Sequence, residues 1–289
     1  MSDLDVSPVA ETSVAGSLAL RGVDPVATSG RRTRTRIGRA LLIIAPIVGI
    51  IAFLGLWELA IRVYDIKKFA LSSPIDVIRH LSSDKRFYFD NARTTMWEAL
   101  VGFVIAFVLA MIAATAMAQS RFLERAVLPL AVLVQVTPII AYAPAIVIWQ
   151  GFGFKPIVIM TSLVCFVPFL INGLTGLRSV DPGLIELARS VDASGLEVFF
   201  KLRLPSALPS VFSAARIAVG LSLIGAVLGE FFSGVSGGLG YAVKVGQARN
   251  LPLQIWGSVF TLAVIGATAT LLITGLERLV LHWHSSQRQ

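Results

Sequence analysis

The sequence predicts an all-α polytopic membrane protein with about six transmembrane helices and a helical hairpin between the fourth and fifth. Three observations carry this. Of 289 residues, 55% are hydrophobic and 15% charged, with a mean hydropathy of +0.78. A water-soluble domain of this length needs far more charge to cover its surface. The apolar residues also come in blocks of about 20, the length that spans a hydrocarbon core about 30 Å thick. Finally, one long polar connection carries its own helix-start signals.

Residues 1–36 are polar, rich in Ser, Thr, Ala and Val, without a helical or strand period. They predict a disordered cytoplasmic tail, with the membrane domain running over 37–289. Arg31, Arg32, Arg34, Arg36 and Arg39 precede the first apolar block and hold that end in the cytoplasm. A cleaved signal is the competing reading, but the tail is long and no small-residue cleavage site follows the block.

Six spans are expected: Ala40–Ile61, Trp97–Ala118, Ala126–Trp149, Pro156–Gly176, Val211–Gly229 and Trp256–Val280. An even number returns the carboxyl terminus to the cytoplasm. Under this topology the cytoplasmic segments hold 15 Lys and Arg, counting Arg216, and the outer segments hold 10. The bias has the right sign and is small, because Arg62, Lys67, Lys68, Arg79, Lys85, Arg86 and Arg93 all fall in one outer stretch. Trp57, Trp97, Trp149 and Trp256 fall at outer span ends, as in an aromatic belt. The net charge of +8 is the excess expected beside membrane spans, so nucleic acid is not a predicted partner. Cys165 is the single cysteine; it excludes an intrachain disulfide and reads as a small buried hydrophobe.

The loop over about 177–210 is too long to lack structure of its own. Asp181 before Pro182 is a helix start, an acceptor at the N-cap and proline at the first helical position. Leu184, Ile185, Ala188 and Val191 follow at helical spacing. Ser194 with Glu197 makes a capping box for a second helix, whose apolar face is Leu196, Phe199, Phe200 and Leu202 before Pro205 ends it. On pattern alone, such a hairpin is either a connector lying on headgroups or a docking knob for a cytoplasmic partner.

Other residues invite sharper readings. Glu58, Glu98 and Glu230 lie near outer span ends, where interfacial solvation is the commoner explanation and function the default alternative. Of the three, Glu230 is the functional candidate. It precedes Gly234 to Gly240, a segment able to flex as an outer gate. Span five carries Ala218, Ser222 and Ala226, with Gly225 and Gly229; these serve either close packing within one bundle or a pore or dimer interface. Span three holds Gln135, Thr137, Pro138, Tyr142 and Pro144. Its prolines free carbonyls that are tolerable where they face protein or a water-filled path. Gln135, Thr137, Pro138, Tyr142, Ser222 and Glu230 are therefore the candidate pathway residues.

Catalysis is not expected. Gly234-Val235-Ser236-Gly237-Gly238 fits a nucleophile-elbow pattern, yet His80, His282 and His284 all lie outside the spans and none can serve as its base. His282 and His284 lack further clustered ligands for a metal. No phosphate-binding loop is present, so any ATPase is another polypeptide. No cofactor is expected. An ion-coupled secondary transporter and an intramembrane enzyme stand as alternatives; no internal repeat supports the former.

The segment from Glu186 to Pro205, ELARSVDASGLEVFFKLRLP, resembles the EAA loop of binding-protein-dependent ABC-importer permeases. Glu186, Ala188, Leu202, Leu204 and Pro205 match that pattern; Leu187 replaces its first alanine and Asp192 its glycine. The glycine would serve a sharp turn, and Asp is among the few residues that tolerate positive φ there. Leu71-Ser72-Ser73-Pro74 with Val77, Gly176 to Pro182, and Gly238-Leu239-Gly240 resemble the nitrate/sulfonate/taurine branch. Gln135 with Pro138, Ala143-Pro144, Trp149, Gly151-Phe152-Gly153 and Gly225 to Phe231 are similar to permeases for thiamine-pyrimidine precursors or riboflavin.

The resemblance implies a type I importer permease in the bacterial inner membrane with both termini cytoplasmic. It implies a coupling helix built from Glu186, Leu187, Ala188, Asp192, Ala193, Ser194, Gly195, Leu204 and Pro205. The implied partners are a cytoplasmic ABC ATPase dimer, an extracytoplasmic solute-binding protein and a second permease copy in a homodimer, all around membrane lipid. The solute is then a thiamine-pyrimidine precursor, riboflavin or another small heterocycle, or a nitrate- or sulfonate-type anion.

Overall fold

A computed structural model describes residues 36–67 and 71–281, with side chains from Ala45 and from Ile47 onward. The tail over 1–35, His282 and His284 lie outside the described residues. Along the chain run α1 (Arg36–Val63), α2 (Pro74–Ser83), α3 (Lys85–Gln119), α4 (Arg121–Val136), α5 (Ile139–Gln150), α6 (Phe154–Leu177), α7 (Pro182–Ser190), α8 (Gly195–Val198), α9 (Leu204–Phe232), α10 (Leu239–Ala248) and α11 (Pro252–Val280). Among the described residues every regular element is helical. The chain divides into two compact units, one ending at Leu54 and one beginning at Gly55. The described part of the first is the leading part of α1.

In the second unit α3, α6 and α9 form the core because small residues let their backbones approach closely. Ala106, Ala110 and Ala114 recur every fourth residue along α3 and are fully buried, as one helix face requires. They meet Cys165, Phe169 and Leu170 of α6 and Ala207, Ala214 and Ala218 of α9. At Gly102 an added Cβ would lie 2.5 Å from the Thr161 side chain. At Gly225 it would lie 2.6 Å from the Thr161 Cα, and at Gly229 2.8 Å from the Ile157 Cα. The small-residue stripe of α9 thus packs against α6 inside the bundle. The buried Cys165 thiol donates to the Ala218 carbonyl at 3.4 Å.

Four single helices, α3, α6, α9 with its lead-in, and α11, are long and apolar enough to cross a membrane; the pair α4 and α5 makes a fifth span bent by 102°. The expected third span is therefore broken. Pro138 biases Thr137 away from helical backbone, and Thr137 is extended (φ −79°, ψ 122°). Pro138 also lacks the N–H that the Val134 carbonyl would otherwise accept. The Tyr142 hydroxyl stands in for it, 2.9 Å from both the Val134 and Thr137 carbonyl oxygens.

Three further differences follow from local chemistry. α3 starts twelve residues before Trp97 because Tyr88, Ala92 and Thr95 continue its buried face, although the stretch is too polar to stand out by hydropathy. α2 and α10 are short helices outside the six expected spans. Pro205 does not end a helix: Phe199–Arg203 forms a π turn that leads directly into α9. Proline in the first turn of α9 sits where its missing N–H costs nothing.

Candidate functional site

The loop after α6 folds as its capping residues require. The Asp181 carboxylate accepts from the Gly183 N–H at 2.8 Å, with Pro182 opening α7. Ser194 and Glu197 exchange capping-box bonds: the Glu197 N–H donates to Ser194 Oγ at 3.3 Å and the Ser194 N–H to Glu197 Oε2 at 3.0 Å. Lys201 holds the other Glu197 oxygen at 2.9 Å. Between the helices Asp192 takes φ +51°, a left-handed turn that Asp tolerates. The Ala193 N–H closes it on the Ala188 carbonyl at 3.0 Å.

No residue of α7 or α8 is buried. Leu184, Leu187, Val191, Leu196 and Phe200 are exposed, as are Glu186, Ser194 and Gly195. The hairpin is thus a preformed knob with an uncovered apolar side.

Its stem is tightly built. An added Cβ on Gly176 would lie 2.9 Å from the Ala207 Cα, so the ends of α6 and α9 touch backbone to backbone just above Leu204 and Pro205. Ser179 donates to the Gly176 carbonyl at 2.8 Å. Arg178 grips Glu124 with both guanidinium nitrogens, at 2.8 and 2.7 Å. The carboxylate holds the Arg178 guanidinium above its usual range.

At the far end of α9, about 39 Å along the helix from Leu204 at 1.5 Å per residue, lies a second polar cluster. Glu230 is fully buried. Its Oε1 accepts from Thr95 Oγ1 at 2.6 Å, and its Oε2 from the Gly240 and Tyr241 N–H groups at 2.5 and 3.2 Å. It therefore caps the start of α10. The Leu239 N–H donates to Thr95 at 2.8 Å and the Gly238 N–H to Asn91 at 2.9 Å. Glu98 is also buried, 3% exposed, about one turn along α3 from Thr95. Interfacial solvation, the expectation for these acids, does not describe Glu98 or Glu230: protein replaces water around both. Glu58 keeps a wetter setting with Arg62 at 2.8 Å and the Ser73 hydroxyl.

The candidate pathway residues separate into three places. Gln135, Thr137, Pro138 and Tyr142 sit at the α4–α5 bend, the first three exposed. Ser222 is buried, donates to the Val219 carbonyl at 2.9 Å, and edges a cleft of about 1280 Å³ between α3, α9 and α11 whose walls include Phe89, Arg93, Trp97 and Phe103. Glu230 belongs to the α10 clamp. The bend and the cleft are not brought together. Asn91 and Thr95, which hold the start of α10 alongside Glu230, and Glu98 lie on one part of α3. Their i, i+4, i+7 spacing marks one helix face, a signal hidden by starting the span at Trp97. Gly234 to Gly240 does not stand free, because its end is tied to α3 by Asn91 and Thr95.

Residues 106–283 match the family described as the binding-protein-dependent transport system inner membrane component. The chain belongs to that family. This permease is 30% identical over 250 residues to the formylaminopyrimidine transport permease protein ThiX of Halalkalibacterium halodurans, covering 86% of this chain and 99% of the relative. It is 33% identical over 246 residues to the riboflavin transport system permease protein RibX of Chloroflexus aurantiacus, covering 83% and 90%. The permease of the inward-facing MetNI methionine ABC transporter shares its fold, with a TM-score of 0.54 at 19% identity over 68% of this chain and 94% of that one.

The permease is thus the multi-pass inner-membrane subunit of an ABC importer, and ATP hydrolysis belongs to a separate subunit. The family match sets aside the ion-coupled transporter and the intramembrane enzyme. It also implies an ATPase and a solute-binding protein as partners.

Proposed function

We propose that two copies of the permease enclose the pathway, and that the α7–α8 hairpin docks in a cytoplasmic ATPase. Both termini then lie in the cytoplasm. Closure of the two ATPases on ATP pushes the paired hairpins together and turns the cavity outward, where a solute-binding protein delivers its cargo; hydrolysis reopens the inner side. The observation that carries this reading is the hairpin itself. It has fully capped helices, a tight stem and no buried residue, so its apolar side is built for a partner.

Glu186, Leu187 and Ala188 lie in α7, and Asp192, Ala193, Ser194 and Gly195 form the turn and start of α8. Leu204 and Pro205 then join the knob to α9. Glu186→Ala and Glu186→Lys in the complete complex, reconstituted in vesicles, are expected to insert normally and lose uptake. Normal ATPase recruitment and uptake in both variants would refute the coupling role.

We infer further that the cargo is a small heterocycle. Two relatives with at least 30% identity over more than four-fifths of the chain are named for formylaminopyrimidine and riboflavin. The aromatic walls of the α3–α9–α11 cleft suit flat ligands. Ligand binding by the partner solute-binding protein decides this: affinity for a pyrimidine or flavin supports it, and affinity confined to sulfonates or nitrate refutes it.

A further inference from the structure

Arg178 stands between the last turn of α6 and the Asp181 cap of the hairpin. Its two nitrogens face both oxygens of Glu124, and Nη2 also donates to the Met117 carbonyl at 3.1 Å. Met117 closes α3, and Glu124 lies in the first turn of α4. One side chain therefore joins the hairpin stem to the corner where α3 passes into α4. The two legs of the stem are tied together: Gly176 abuts Ala207, and the Ser179 hydroxyl reaches the Ser206 carbonyl of the opposite leg at 3.4 Å. Along α4 most residues are exposed and Ala131 is its buried residue. α4 is thus loosely packed, held near its start by the Arg178 fork, and continues into the 102° bend.

This pair is poorly placed to stabilise the fold. Arg178 is 40% exposed and Glu124 27%, and ion pairs so exposed contribute little. What a two-pronged fork supplies is orientation. Arg121 and Arg125 also act on Glu124, so losing Arg178 does not leave its carboxylate without cations.

We infer that Arg178 and Glu124 are positioning residues that carry displacement of the hairpin into the broken span α4–α5. This rests on the hairpin being the coupling element. A push on the hairpin swings the stem, the fork drags the start of α4, and the α4–α5 bend turns that movement into a change at its apex around Pro138.

The test uses the full complex with its ATPase in vesicles, given solute-loaded binding protein. Arg178→Gln and Glu124→Gln are each expected to cut uptake about tenfold. Assembly and basal ATP hydrolysis are expected to persist, while stimulation by the binding protein is lost. Arg178→Lys, which keeps the charge without the fork, is expected to fall between Arg178→Gln and the unaltered protein. The exchange Glu124→Arg with Arg178→Glu is expected to recover much of the uptake.

Wild-type uptake in the single variants, or an exchange no better than the worse single variant, overturns the inference. Glu186→Ala separates this failure from failure of the coupling reading. If Glu186→Ala abolishes uptake and Arg178→Gln does not, the clamp alone is wrong. If Glu186→Ala transports normally, the coupling reading is wrong and this inference falls with it.

Discussion

Thr95 on α3 and Glu230 on α9, 135 residues apart, meet through a 2.6 Å hydrogen bond in which the threonine hydroxyl donates. The same threonine oxygen accepts the Leu239 N–H, and the same glutamate accepts those of Gly240 and Tyr241. Two buried side chains thus satisfy three of the N–H groups that a helix start leaves without partners.

Replacing Glu230 by Ala leaves the Gly240 and Tyr241 amides unpaired in a buried place, at a cost of about 1–3 kcal/mol each. Glu230→Ala is expected to lower the unfolding temperature of the purified permease and to raise hydrogen exchange at Gly240 and Tyr241. Glu98→Gln is expected to be far milder, because none of the bonds that cap α10 runs through Glu98. Equal loss in the two variants would contradict this arrangement.

At the broken span, Tyr142→Phe removes the one group that stands in for the missing Pro138 N–H at the Val134 carbonyl. The expected loss is about 0.5–1.5 kcal/mol of stability, together with increased protease sensitivity at the bend. Uptake kinetics also test whether the bend belongs to the pathway. Unchanged kinetics in both Gln135→Ala and Tyr142→Ala would remove it.

In the hairpin, Asp192 holds φ +51°. Asp192→Gly is expected to keep full uptake and stability within about 1 kcal/mol, since glycine takes this conformation freely. Asp192→Val is expected to lower uptake and weaken ATPase recruitment in pull-downs, because a β-branched residue is strained there.

Gly225 faces the Thr161 backbone, with an added Cβ only 2.6 Å from its Cα. Gly225→Leu is expected to separate α9 from α6 and cost at least about 1–3 kcal/mol, read as loss of monodisperse protein in detergent. Gly220, which has nothing within 4 Å, is the control: Gly220→Ala is expected to be tolerated.

The sequence by itself determined the membrane class, the cores of the spans and the helix starts and turn of the hairpin. Block hydropathy and capping depend on residues within a turn or two of each other. Asp181, Pro182, Ser194 and Glu197 carry their instructions in immediate neighbours, and Asp192 shows in its residue type that it can turn. Only the tertiary structure decided the rest. Pro138 bends its span by 102° because Tyr142 has somewhere to donate, and Pro205 continues a helix because a π turn precedes it. Glu230 is buried because Thr95 and the start of α10 replace water, and Arg178 finds Glu124 across 54 residues. The Glu230 and Arg178 contacts depend on which distant group arrives to satisfy a polar atom, and local spacing holds no record of that.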